Sequence, residues 1–134
     1  MRYLSIVGFL GVLAVALGAM GAHSLAGRIA PDQLTVYRTG VFYHMTHTVV
    51  LLALTLWMER SHSPKLRAAF WLILAGIVCF SGSLYLLSTR DLLGLRHWKW
   101  LGPVTPLGGM LFIAGWFVLA LFGMSQGTHT KAKT

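Results

Sequence analysis

Two histidines, His44 and His47, stand three residues apart inside a long apolar run, with Tyr43 one turn before His47. On a helix this spacing sends the three side chains towards one side, where they can enter a common interior. Imidazoles so placed can bind a metal or haem iron, pass protons, or hydrogen-bond a small polar guest. A second polar group, Ser81, Ser83 and Tyr85, lies in another apolar run; His23 closes the first such run, and Thr105 stands near the start of the last. The three acids, Asp32, Glu59 and Asp91, all fall outside the runs, so acid–base work would be left to histidine or tyrosine. There is no H-E-x-x-H, nucleophile elbow or phosphate-binding loop. No catalytic residue, resident metal or cofactor is therefore expected. The single cysteine, Cys79, cannot form a disulfide within the chain and reads as a small packing group.

The elements that position these residues follow from composition. Of 134 residues, 56% are hydrophobic and 10% charged, against roughly 25% charged in an ordinary soluble domain. Mean hydropathy is +0.70. Such a chain is neither a soluble domain nor a disordered one. The net charge of +8 comes from Lys and Arg between the apolar runs, which suits membrane flanks and gives no basic face for nucleic acid. Crossing about 30 Å of hydrocarbon takes roughly 20 apolar residues in a helix. Four runs qualify, at about 3–22, 40–58, 68–87 and 101–124, followed by a polar tail, 125–134, expected to be flexible. The expected fold is all-α: one integral membrane domain over 1–134, a four-helix bundle with antiparallel neighbours. The first run has some look of a signal peptide, but it is longer than a typical apolar core of one and is expected to be retained.

The connections carry start signals. Pro31 and Asp32 suit the first turn of a helix that begins outside the bilayer, with Gly40 as a bend on entry. Thr105 before Pro106 suggests a capped start for the fourth helix, leaving 102–104 non-helical. Trp98 and Trp100 suit the aromatic belt. Cationic residues near the span ends divide almost evenly between the two sides, so the positive-inside rule leans only slightly, towards cytoplasmic termini.

Small residues indicate how the helices approach, because in lipid close contact depends on them. Gly11, Ala14, Gly18 and Gly21 share one face of the first run; Gly76, Cys79 and Ser83 repeat the device in the third, and Gly108 and Gly115 in the fourth. Packing of the bundle on itself is the expected use, with a homodimer seam as the alternative.

Counting residues from the span ends adds depth. His23, Tyr43, His44, His47, Ser81, Ser83, Tyr85 and Thr105 all fall in the half of the membrane away from the Glu59–Arg67 connection, and the other half is nearly all aliphatic and aromatic. This polar layer reads in three ways: hydrogen-bond glue between helices, a site for a small ligand, ion or proton path, or a metal or haem site.

The runs Gly18-Ala19-Met20-Gly21-Ala22-His23-Ser24-Leu25, Thr39 to His47, Phe80-Ser81-Gly82-Ser83-Leu84-Tyr85, and Thr105-Pro106-Leu107-Gly108-Gly109 through Gly115-Trp116 resemble, in this order, the domain-of-unknown-function 423 family. The resemblance runs from Met1 to about Gly123 and implies a multi-pass protein of the bacterial inner membrane. It implies no activity. Residues matching the family pattern are His23, Tyr43, His47, Ser81, Gly82, Tyr85, Thr105, Pro106, Gly108 and Gly109. His44 departs from it, since the family leads one to expect glutamine there, which turns attention to His47 and His23. The expected partners are the lipid bilayer and either other membrane proteins or further copies of the chain.

Overall fold

The computed structural model describes residues 2–94 and 101–131, with side chains as far as Ser125. Within them every regular element is helical, and four helices are long and apolar enough to cross a membrane. They are α1 (Arg2–Ser24), α2 (Pro31–Arg60), α3 (Pro64–Thr89) and α4 (Leu101–Lys131). Helices suit this setting because each satisfies its own backbone polar groups where lipid offers none. The aromatic pair Trp98 and Trp100, expected from sequence at the membrane surface, lies outside the described residues. The backbone of α4 stays helical to Lys131, past the expected start of the tail at 125.

Local signals set the helix ends. Ala30 is extended, as a residue before proline should be, and Pro31 opens α2 with Asp32 in its positively polarised first turn. Ser63 and Pro64 repeat the device at α3. Gly27, with φ of +81°, makes the turn between α1 and α2 that an L side chain would resist. At 30 residues α2 is about 45 Å long, more than the roughly 30 Å of hydrocarbon a span must cross.

Two local signals act differently from the expectation. The fourth helix is already helical at Leu101, with Pro106 inside it rather than at its first position. Pro103, in the first turn, is the proline that fits the start; Pro106 sits one turn further and removes a single bond, to the Gly102 carbonyl. Thr105 is therefore not a cap. Gly40 is not a bend either: α2 continues through it, and a Cβ there would lie 3.0 Å from the Tyr85 ring and 3.2 Å from Leu84.

Close approach sorts the small residues. The tightest seam joins α3 to α4, where a Cβ would lie 2.5 Å from the Phe112 ring at Gly76 and 2.6 Å from Ile73 at Gly115, and at Gly108 would run into the Phe80 backbone. On the α1–α2 seam Ala14 is fully buried, Gly21 receives the Tyr37 ring and Gly18 has ordinary contact with Val41. Gly11 does not belong to this seam, since the space beside it is open, as it is at Gly8. Among the described residues α1 makes no close backbone approach to α4; α2 and α3 lie between them. The apolar core gathers Val7, Leu51, Leu54, Leu66, Phe70, Ile73 and Phe122 in the half nearer the Glu59–Arg67 connection.

Candidate functional site

Two π-turns interrupt the α-helical pattern, at Met20–Ser24 ending α1 and at Ile77–Ser81 in the middle of α3. Sequence reading missed both. A π-turn inserts one residue and rotates the downstream side chains by about 100°, so it changes which of them face a neighbour. Neither has a proline or other local marker that would have revealed it.

The antiparallel register of α2 and α3 is set where Gly40 receives Leu84 and Tyr85. One turn further along each helix, His44 comes level with Ser81. His44 is 2% exposed, and its Nδ1 lies 3.2 Å from the Tyr85 hydroxyl. The Tyr85 ring in turn packs against Tyr37, with centroids 5.1 Å apart, and the Tyr37 hydroxyl donates to the Leu17 carbonyl of α1 at 3.0 Å. Two atoms are left over. His44 Nε2 and the Ser81 hydroxyl are both buried and have no hydrogen-bond partner among the described residues. The Leu10 carbonyl of α1 approaches His44 without completing a bond of good geometry.

His47 is the opposite case. Its Nδ1 lies 2.8 Å from the Tyr43 carbonyl, which can only accept, so Nδ1 carries the proton. Its Nε2 accepts from the indole N–H of Trp116, which can only donate, at 3.4 Å. The ring stacks on Phe112 with centroids 3.8 Å apart. Both nitrogens are occupied, so His47 has none to offer a metal. Trp116 completes this arrangement; in the sequence it ends the fourth family-like run, at Gly115-Trp116, but no spacing there links it to His47.

A third cluster joins α3 to α4. Ser83 donates to the Phe80 carbonyl at 2.9 Å, which leaves Thr105 to donate to Ser83 across 2.7 Å. The layer is therefore not one pocket. His44 meets Tyr85 between α2 and α3, His47 meets Trp116 of α4, and Ser83 pairs with Thr105. Tyr43 does not point inwards: it is 36% exposed and lies over Phe80, its ring 5.7 Å from that of His47. His23 is exposed on the terminal π-turn, away from the other histidines. Among the described residues no three His, Cys, Asp or Glu side chains gather as metal ligands. Cys79 is a half-buried free thiol in the α3 π-turn.

A family model described as a protein of unknown function, DUF423, matches residues 17–109, a stretch that includes every residue of the layer from His23 to Thr105 but not Trp116. The chain is 43% identical to the UPF0382 membrane protein YwdK of Bacillus subtilis over 111 residues, which cover 82% of this chain and 85% of that one. It is 40% identical to the UPF0382 membrane protein SAB0533 of Staphylococcus aureus over 122 residues, covering 90% and 94%. A UPF0382 membrane protein of Haemophilus influenzae is 39% identical over 120 residues, covering 89% and 90%. No solved structure matches. The chain belongs to the DUF423 family of membrane proteins.

Proposed function

We propose that this member of the DUF423 family works inside the bilayer by holding a small polar guest, a water or a proton-carrying ion, between α2 and α3, in a transport or accessory role. The carrying observation is the pair of buried atoms without a hydrogen-bond partner among the described residues, His44 Nε2 on α2 and Ser81 Oγ on α3. Almost all buried polar groups find a partner, and one left alone costs about 1–3 kcal/mol, so two on neighbouring helices argue for something else that bonds them. A guest between them would complete a path from Ser81 through His44 to the Tyr85 hydroxyl. His44 is thereby the central residue and His47 a positioning one. An amide in place of His44 would keep a hydrogen-bonding guest, which fits the family expectation of glutamine there. The reading involves no catalysis and no resident metal. Its bilayer is the bacterial inner membrane, because spanning helices rather than a closed barrel are the form used there.

The test is proton movement into vesicles reconstituted with the purified protein, followed by an internal pH dye. Flux in the original protein that His44→Leu and Ser81→Ala abolish, and that Trp116→Phe preserves, is the expected result. Flux absent from the original, or indifferent to His44→Leu, sinks the reading.

One observation favours a second reading, an assembly module without a ligand. The outer face of α1 exposes Gly8, Phe9, Val12 and Val15, and a Cβ at Gly8 or Gly11 would meet open space. A chain that forms oligomers through this face would lose them on Gly8→Leu, measured by cross-linking in membranes, while keeping its fold.

A further inference from the structure

At the opposite end of the bundle from the polar layer lies a cavity of about 350 Å³. Its floor is amphipathic: Tyr3 of α1, and Met58 and Thr55 of α2. Its mouth carries Glu59 in the last turn of α2, His62 in the connection and Arg67 in the first turn of α3. The mouth is therefore at the level where span ends meet lipid headgroups.

The charges at this mouth are unusual for a chain so poor in acids. Glu59 is the only acid between Asp32 and Asp91, and it shares the cavity with Arg67. Yet the two side chains do not pair with each other, and neither has another hydrogen-bond or ionic partner among the described residues. An anion entering the cavity would meet Glu59, and a cation would meet Arg67. A ligand carrying both charges a few bonds apart satisfies both.

We propose that this cavity binds the phosphoethanolamine group, the primary ammonium donating to Glu59 and the phosphate accepting from Arg67 and His62. Guanidinium groups favour phosphate through paired, charge-assisted hydrogen bonds. A primary ammonium has three N–H donors for a carboxylate, whereas a trimethylated ammonium has none. The lining also has an apolar part, Tyr3 and Met58, which suits a headgroup with acyl chains attached. The same chemistry occurs in free phosphoethanolamine, so the experiment separates the two sources.

The full chain, purified in detergent, is titrated with phosphatidylethanolamine, phosphatidylcholine and phosphatidylglycerol of equal acyl composition, and retained lipid is read by native mass spectrometry. Preference for the ethanolamine lipid is expected. Glu59→Gln should erase that preference and Glu59→Asp should keep it. Arg67→Gln should weaken retention of all three lipids about fivefold, as one interfacial cation is worth. Arg38→Gln, at the opposite end, should change nothing. Displacement of the lipid by soluble phosphoethanolamine identifies the free compound as a ligand; failure to displace assigns the site to lipid. Equal retention of the three lipids by the original protein, or a preference that survives Glu59→Gln, overturns the proposal. Neither result bears on proton flux through the intramembrane layer.

Discussion

In the half of the bundle near the Glu59–Arg67 connection, Leu51, Leu54, Leu66, Phe70, Ile73 and Phe122 meet one another, and the buried hydroxyl of Thr55 bonds the Leu51 carbonyl of its own helix. In the other half the bonds cross between helices: His44 to Tyr85, Trp116 to His47, Thr105 to Ser83. Both π-turns and both partnerless buried atoms are in this second half. The first half holds the helices together by shape, and its open space lies at the rim, in the cavity beside Glu59 and Arg67. The second fixes their rotation by direction, since a hydrogen bond is satisfied at only a few angles, and it leaves two buried polar atoms, His44 Nε2 and Ser81 Oγ, without a partner among the described residues.

The apolar half should give the largest responses. Phe70 is fully buried and touches Tyr3 and Trp71 edge-on. Replacing it by alanine is expected to cost about 3 kcal/mol in reversible unfolding from micelles, the largest single effect, because the cavity cannot collapse between rigid helices. Gly108→Ala should cost about 2 kcal/mol by forcing α3 and α4 apart at Phe80, whereas Gly11→Ala, which faces open space, should leave the same measurement unchanged. A Gly11→Ala loss equal to that at Gly108 would mean that the α1 face is covered by another molecule.

The polar half should respond more gently. Trp116→Phe removes one interhelical bond, worth about 0.6 kcal/mol, and nitrogen NMR of His47 should then show the Nε2 signal shifting while Nδ1 keeps its proton. Ser81→Ala gives the smallest and most informative change. With a guest bonded there, stability falls by about 0.6 kcal/mol; with a dry hydroxyl, it rises, because a buried donor without a partner has been removed. A rise would leave the second half merely less well packed than the first, with no guest of its own.

Particular residues show how far the sequence can be read. Residue counts put His44 and Ser81 at the same depth, and the α2–α3 register agrees with that placement. The same counting does not tell that His47, three residues on, turns to α4 and uses both its nitrogens, or that Tyr43 lies outside. Gly76, Gly108 and Gly115 are recognisable as close-packing glycines, but Gly11 carries the same spacing signal and touches nothing. Pro106 has the mark of a helix start because the residue before a proline resists the helix, yet Pro103 already holds that place.

Residue order alone is enough to establish that the chain crosses a membrane four times as helices and at what level its polar groups lie. Span and depth depend on residue number, since each residue of a helix advances about 1.5 Å whatever surrounds it. Which of those groups meet is settled by packing. Rotation about a helix axis is set by the neighbours' shapes, and a single π-turn such as Ile77–Ser81 resets it by about 100° with no mark in the local sequence. The same holds for the cavity by Glu59 and Arg67, which exists only because the ends of α1, α2 and α3 come together.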